Sequence, residues 1–138
     1  MFFLINLGVM MFRVLLTALG FSICSAYAQS PVMYLQESSG IAVNIAPNEV
    51  KMIGNAFTCT MHIECEATCQ DNATNIIHFS VLNRGGSLNG VPVTKGDAMD
   101  VVINTGDKLS IVAQPASRVE LKNIGTTNIT SMCNVTCR

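Results

Sequence analysis

Turn-forming residues interrupt this chain about every 8–12 residues, a spacing typical of all-β domains. No stretch between the turns keeps a helical apolar period for three turns without a Gly or Pro. The turn signals are Ser39-Gly40, Pro47-Asn48, Gly54-Asn55, Arg84-Gly85-Gly86, Asn89-Gly90, Lys95-Gly96-Asp97, Thr105-Gly106-Asp107, Pro115 and Asn123-Ile124-Gly125. The pattern predicts an all-β chain, folded as a single antiparallel β-sandwich of the immunoglobulin-like or a similar kind.

Alternation of apolar and polar residues within the runs also predicts strands. From Phe57 to Cys65, and again from Ile129 to Cys137, one face carries apolar and cysteine side chains. Thr105-Gly106-Asp107 predicts a hairpin between two such runs. The polar piece Glu66–Ala73 is the one candidate helix, and the pattern predicts no internal repeat.

The N-terminus has the parts of a secretory signal peptide, namely a cation, a short apolar stretch and a small-x-small exit. The apolar stretch is Val14–Cys24, and Ala26 and Ala28 flank a cleavage site before Gln29. No cation lies ahead of Met11, which favours Met11 as the true start. Because a membrane span needs about 20 apolar residues, a retained anchor is a weaker alternative. A lipoprotein is another, since Cys24 follows Ile23 and not a small residue.

These features divide the chain into a signal peptide over 1–28, an N-terminal tail over 29–39 and a β-sandwich domain over 40–138. No membrane span is expected after cleavage. The alanine-rich exit is bacterial in type, so we expect the protein to be periplasmic, associated with the outer membrane, or secreted.

Charged residues make up only 12% of the chain, against about 25% in a typical globular protein. The eight basic side chains are scattered and are balanced by nine acidic ones. The chain therefore lacks the basic stripe of a nucleic-acid-binding protein. So little surface charge is typical of a domain that is covered in use, and we expect protein partners in the envelope, in a homo- or hetero-oligomer.

Five cysteines follow the signal peptide, and in an oxidising compartment they are disulfide candidates. They are Cys59, Cys65, Cys69, Cys133 and Cys137. Strand residues rise about 3.3 Å each, and a disulfide needs Cα atoms within about 7 Å, so two cysteines of one extended strand lie too far apart to bond. The cluster of Cys59, Cys65 and Cys69 must therefore bond to Cys133 and Cys137. An antiparallel register favours Cys59 with Cys137 and Cys65 with Cys133. Cys69 is then left unpaired in an exposed polar loop, free to bond a second copy or a partner, although Cys69 in place of Cys65 is the alternative.

A metal or redox site is the other interpretation of these residues, with Cys59, His62, Cys65 and Cys69 as ligands. Their spacing fits the Cys-x2–4-Cys pairs of structural zinc poorly. No Cys-x-x-Cys opens a helix, as a thioredoxin-type site requires. We therefore expect no metal and no cofactor.

Few residues in the chain could support catalysis. His62 and Glu64 share one face of a strand, but no nucleophile and orienting partner stand beside them. The aspartates in Lys95-Gly96-Asp97 and Thr105-Gly106-Asp107 shape turns and lack the dense oxygen spacing of a calcium loop. The sequence predicts that the protein is not an enzyme.

In overall build the chain resembles the small periplasmic accessory subunits of Dot/Icm-type (type IVB) secretion outer-membrane core complexes. The features that carry the resemblance are the Ser25-Ala26-Tyr27-Ala28 exit, the β pattern from Asn75 to Cys137 and the Met11 start. The resemblance implies a structural role within a large assembly, with no catalytic residues.

We therefore expect a non-catalytic structural or interaction module of the bacterial cell envelope, as an accessory subunit of a secretion-type assembly. The first alternative is a secreted binder or inhibitor of an enzyme, presenting a loop such as Arg84–Gly90. The second is a periplasmic metal-binding or redox protein that uses the cysteine cluster.

Overall fold

The computed structural model describes residues 31–138. Eleven β-strands and one 3-10 turn, Gln70–Asn72, form within that range. The strands are β1 Val32–Tyr34, β2 Ser38–Ile45, β3 Val50–Gly54, β4 Met61–Cys69, β5 Asn75–Asn83, β6 Gly85–Leu88, β7 Val91–Thr94, β8 Ala98–Ile103, β9 Lys108–Ala113, β10 Arg118–Asn123 and β11 Ile129–Cys137.

The strands form two sheets that pack face to face, which confirms the predicted all-β sandwich. The first sheet has the order β1-β3-β10-β5-β8, and the second has the order β2-β11-β4-β9-β6-β7. Every strand pairing is antiparallel except that of β1 with β3, which is parallel.

The core lies between the sheets and follows the alternation of the strands. In β4, Met61, Ile63 and Cys65 are buried while the residues between them face outward. In β11, Ile129 and Val135 are almost fully buried in the same way. Period-two burial on one face is the physical basis of the sequence prediction.

Three local predictions are wrong. Thr105-Gly106-Asp107 does not close a hairpin, because β8 belongs to the first sheet and β9 to the second. The first half of the candidate helix Glu66–Ala73 is strand, since β4 continues to Cys69, and only the single 3-10 turn Gln70–Asn72 follows. The strand predicted from Phe57 starts only at Met61.

The described part of the predicted N-terminal tail is ordered into the fold. Val32–Tyr34 pairs with β3, and Leu35 is buried in the core. The signal peptide over 1–28 and its cleavage site, with Ala26, Ala28 and Gln29, lie outside the described residues. Within residues 31–138, no helix is long and apolar enough to cross a membrane.

The chain contains an internal repeat, contrary to the prediction from the sequence pattern. A shift of 68 positions, the separation of Cys65 and Cys133, carries the strands β2-β3-β4 onto β9-β10-β11. The bounds of β4 then coincide with those of β11. Six positions carry identical residues under the shift: Pro47 and Pro115, Asn55 and Asn123, Thr58 and Thr126, Cys65 and Cys133, Thr68 and Thr136, and Cys69 and Cys137.

The hydrogen bonds of the two halves are reciprocal. The N–H of Asn48 donates to the carbonyl of Asn123 at 2.7 Å, and the N–H of its counterpart Ala116 donates to the carbonyl of Asn55 at 3.0 Å. β3 pairs antiparallel with β10 and β4 antiparallel with β11, with Cys65 directly opposite Cys133. The two halves are therefore related by a pseudo-twofold axis that passes by this disulfide.

Candidate interaction surface

Four of the five candidate cysteines form two disulfides. Cys59 bonds to Cys137 with Cα atoms 5.7 Å apart, and Cys65 bonds to Cys133 with Cα atoms 4.0 Å apart. Cys65 and Cys133 face each other in the β4–β11 ladder. The two bonds fix the last strand to β4 and to the segment before it.

Cys69 is free, but it is not the exposed thiol that the sequence predicts. It ends β4 and is 2% exposed, and its Sγ lies 3.5 Å from the carbonyl oxygen of Ile103. The strand continues past the expected loop, and position 69 falls on the inward face. A disulfide to another molecule through Cys69 would require the sandwich to open.

The alternative metal site is not assembled. Cys59 and Cys65 are engaged in disulfides, and a metal ligand must be a thiolate. His62 lies on the outer face of β4, opposite to the buried Cys65 and Cys69. Among residues 31–138, no group of three His, Cys, Asp or Glu is placed to hold a metal ion.

Glu64, considered above with His62, and the exposed pair of His78 and Asp100 serve the sheet surfaces. Glu64 accepts a hydrogen bond from the hydroxyl of Ser110 at 2.7 Å. His78 Nδ1 lies 2.6 Å from a carboxylate oxygen of Asp100 on the neighbouring strand, and both side chains are well exposed. An exposed cross-strand pair of this kind stabilises a sheet modestly.

The segment Arg84–Gly90, expected to be a presenting loop, is mostly strand β6 and the turn into β7. Asn89 and Gly90 both have positive φ, as a two-residue hairpin turn requires. The Asn89 side chain also accepts the N–H of Ser110 at 2.9 Å, which ties the turn to β9.

An apolar cavity of about 90 Å³ lies between the sheets. Core side chains such as Ile63, Phe79 and Ile111 line it. A lining that is almost wholly apolar offers nothing to orient a polar substrate.

The connection between β3 and β4 is organised by the buried side chain of Asn55. Its Nδ2 donates to the carbonyl oxygens of Cys59, Ala113 and Gln114 at 2.9, 3.0 and 3.2 Å. Its Oδ1 accepts the N–H of Phe57 at 2.9 Å. Ala113 is the last residue of β9 and Gln114 follows it, so one amide connects the end of β3 in the first sheet to the end of β9 in the second. Its fully satisfied hydrogen bonds hold the loop in one conformation.

The same loop is anchored at its other end by the disulfide of Cys59 with Cys137. Thr60 and Arg138 also exchange backbone hydrogen bonds at 3.0 and 2.9 Å. We call this region, where β3 ends and β4 and β10 begin, the Asn55 end of the sandwich.

The Asn55 end displays large side chains on this rigid frame. Residues 31–138 hold seven exposed large hydrophobic side chains, and three of them lie here. Tyr34 is 55% exposed, Phe57 44% and Leu82 37%. Arg118 is also exposed and stands opposite Gly54 in the ladder. The ring of Tyr34 packs against the same glycine, since a Cβ added to Gly54 would lie about 3.0 Å from it.

A notch of about 280 Å³ opens beside these residues. Its lining consists of Tyr34, Asn55, Ala56, Asn83, Ala116, Ser117 and Arg118. Ala116 has φ of 62°, a left-handed conformation that is unfavourable for alanine. Its carbonyl accepts the side-chain N–H of Asn83 at 2.9 Å, so the surroundings impose this conformation. The combination of Tyr, Phe and Arg on a preorganised surface is the composition of protein-interface hot spots.

Sequence reasoning missed this surface because it placed Tyr34 in a loose tail and treated Asn55 and Asn123 only as turn signals. The signal that could have found it is the shift of 68 positions. Under that shift, Asn55 and Asn123 hold the same place, and each accepts the N–H two residues on.

Comparison with known proteins adds no family. No protein-family model matches the sequence, and no curated protein matches it. Among solved structures, the fold is similar to Aeromonas hydrophila PliG, a periplasmic lysozyme inhibitor of g-type lysozyme. The two sequences are 5% identical, the match covers 78% of this chain and 98% of that chain, and the TM-score is 0.41. It is also similar to part of a β-glucosidase from Paenibacillus barengoltzii, with 13% identity, 80% of this chain and 12% of that chain covered, and a TM-score of 0.35. Both TM-scores are below 0.5, so neither likeness carries an argument about function.

Proposed function

We propose that this chain is an exported, non-catalytic protein-binding module and that it binds its partner through the Asn55 end. The observation that carries the proposal is the display of Phe57 on a loop fixed by Asn55 and a disulfide, at the same end of the sandwich as Tyr34 of β1 and Arg118 of β10. A surface ordered before binding loses little conformational entropy in the complex.

Two features support an exported protein. The N-terminal sequence up to Ala28 has the parts of a signal peptide. The two disulfides join distant parts of the chain, and such bonds persist in oxidising compartments such as the periplasm.

The proposal includes a place in the bacterial envelope, as an accessory subunit of a secretion-type assembly. What supports it is the resemblance carried by the Ser25-Ala26-Tyr27-Ala28 exit and the β pattern. A secreted inhibitor of an enzyme is the second candidate, and the rigid loop with exposed Phe57 favours it, since inhibitors act through preformed surfaces.

Site-specific photo-crosslinking in the organism that encodes the chain tests the proposal. A photoreactive phenylalanine is placed at position 57, with Met132 as the matched control. Met132 is 50% exposed but lies in the middle of β11, on the outer face of the second sheet and away from the Asn55 end. We expect a discrete adduct from position 57 and none from position 132.

Equal labelling from both positions, or none from position 57, would contradict a binding role for the Asn55 end. Fractionation of the adduct then separates the two candidates. An envelope subunit gives an adduct in the membrane or envelope fraction, whereas an inhibitor gives an adduct with a free enzyme.

A further inference from the structure

Charge is distributed unevenly between the two ends of the sandwich. The connections at the Asn55 end carry Arg84, Lys95 and Arg138 against Glu37 and Asp97. Arg118 begins β10 at the same end, and all four basic side chains are exposed.

The connections at the opposite end carry only acidic side chains. They are Glu49, Asp71 and Asp107. Three basic residues, Lys51, Lys108 and Lys122, lie beside them on the strands, and Lys51 pairs with Glu49 at 2.9 Å, so this end is close to neutral. The Asn55 end is thus the electropositive end of a molecule whose overall charge is near zero, and it attracts acidic partners.

Arg118 is the only charged residue that lines the notch. Among residues 31–138, it forms no salt bridge. A guanidinium offers a planar fork that binds a carboxylate through two parallel hydrogen bonds. Tyr34, which also lines the notch, adds a ring and a hydroxyl to the same concavity.

Resting on the proposed function, we infer that the partner protein presents an acidic segment whose Asp or Glu carboxylate enters the notch and pairs with Arg118. A membrane surface with anionic headgroups would also meet the basic end. The concave notch favours a protein, because a protruding side chain fills a concavity and a flat bilayer does not.

The test uses the folded chain, labelled with nitrogen-15, and an acetylated decaglutamate peptide as the probe. We expect amide shifts in the notch, at Arg118 and its neighbours, that weaken as salt is raised. Decaglutamine should not produce them. Arg118→Gln should weaken decaglutamate binding about fivefold, the upper range for an exposed ion pair. Lys122→Gln, on the same strand but at the other end, should leave the binding unchanged.

Equal binding of decaglutamate by wild type and Arg118→Gln, or equal shifts with decaglutamine, would overturn the inference. So would tighter binding to phosphatidylglycerol vesicles that depends on Arg118, since the ligand would then be a membrane. If decaglutamate does not bind while position 57 still crosslinks to a partner, the proposed function stands, and only the inference that the partner is acidic is wrong. If decaglutamate binds at Arg118 and position 57 yields no adduct, the notch binds acidic side chains but the proposed function is wrong, and the inference about its partner fails with it.

Discussion

The pseudo-twofold axis predicts a third disulfide that the chain does not form. The shift of 68 positions carries Cys69 onto Cys137 and Cys59 onto Thr127. The free thiol of Cys69 is therefore the counterpart of a bonded cysteine, with a threonine where its partner would stand. Thr127→Cys should restore the symmetry-related bond, between positions 69 and 127.

The local geometry supports this substitution. The N–H of Gln70 donates to the carbonyl of Asn128 at 3.0 Å, and at the equivalent place the N–H of Arg138 donates to the carbonyl of Thr60 at 2.9 Å. The backbones beside positions 69 and 127 are therefore joined as they are beside the Cys59–Cys137 bond, where the Cα atoms are 5.7 Å apart. That separation suits a disulfide.

The magnitude follows from the ring that the new bond would close. Because Cys65 is already bonded to Cys133, the added ring runs only through 65–69 and 127–133. A ring of roughly a dozen residues corresponds to about 3 kcal/mol in the chain-entropy account. Against it stands the loss of the Thr127 hydroxyl, which accepts the buried side-chain N–H of Asn75 at 2.7 Å. An unsatisfied buried amide costs about 1–3 kcal/mol.

The assay must therefore compare variants that both lack the hydroxyl. Urea unfolding of oxidised Thr127→Cys against Thr127→Cys/Cys69→Ala isolates the bond, and the first should be about 3 kcal/mol more stable. Peptide mapping should show Cys69 bonded to position 127, with the two native disulfides intact. A free Cys69 in the oxidised variant, or equal unfolding free energies, would refute the symmetry argument.

Three further predictions address single features of the fold. Ala116→Gly should raise the free energy of unfolding by about 1 kcal/mol, because glycine has no Cβ to oppose the left-handed conformation; urea unfolding showing a loss would contradict this. Cys137→Ser should lower it by about 3 kcal/mol, since the second bond closes a ring of similar size to the one above, whereas Cys69→Ser, the matched control, should change it much less. The pKa of Glu49 is held below its ordinary value by the hydrogen bond from the N–H of Ala46 and then by Lys51. The stabilisation that ionised Glu49 adds to the free energy of unfolding is therefore complete at neutral pH and is lost as pH falls through that lowered pKa. Unfolding of Glu49→Gln and wild type at pH 7 and pH 3 should show a difference at pH 7 that shrinks at pH 3.

The sequence predicts the strands whose apolar residues alternate over a long run. Ile129–Cys137 is a strand with the expected bounds. Strand rise also explains the disulfide partners, because Cys65 and Cys133 stand opposite each other in the ladder. Period and rise are local properties, so they can be read from neighbouring residues.

Predictions that depend on which sheet a strand joins were wrong. A turn such as Thr105-Gly106-Asp107 has the same chemistry whether the next strand pairs with the last one or crosses to the other sheet. The burial of Cys69 depends on β4 running four residues beyond Cys65, and that extension is decided by its long pairing with β11. These are tertiary effects that override local pattern.

The internal repeat separates what the fold requires from what this chain displays. Asn55 and Asn123 make equivalent hydrogen bonds to backbone groups, so the frame depends on the two asparagines and does not depend on the side chains around them. At the positions that face solvent the halves differ, with Phe57 against Gly125 under the shift. The second half holds the same frame without an aromatic side chain there, so the fold does not need Phe57 to be exposed. An exposed aromatic side chain that the frame does not require is available to contact a partner, which supports the proposed binding role of the Asn55 end.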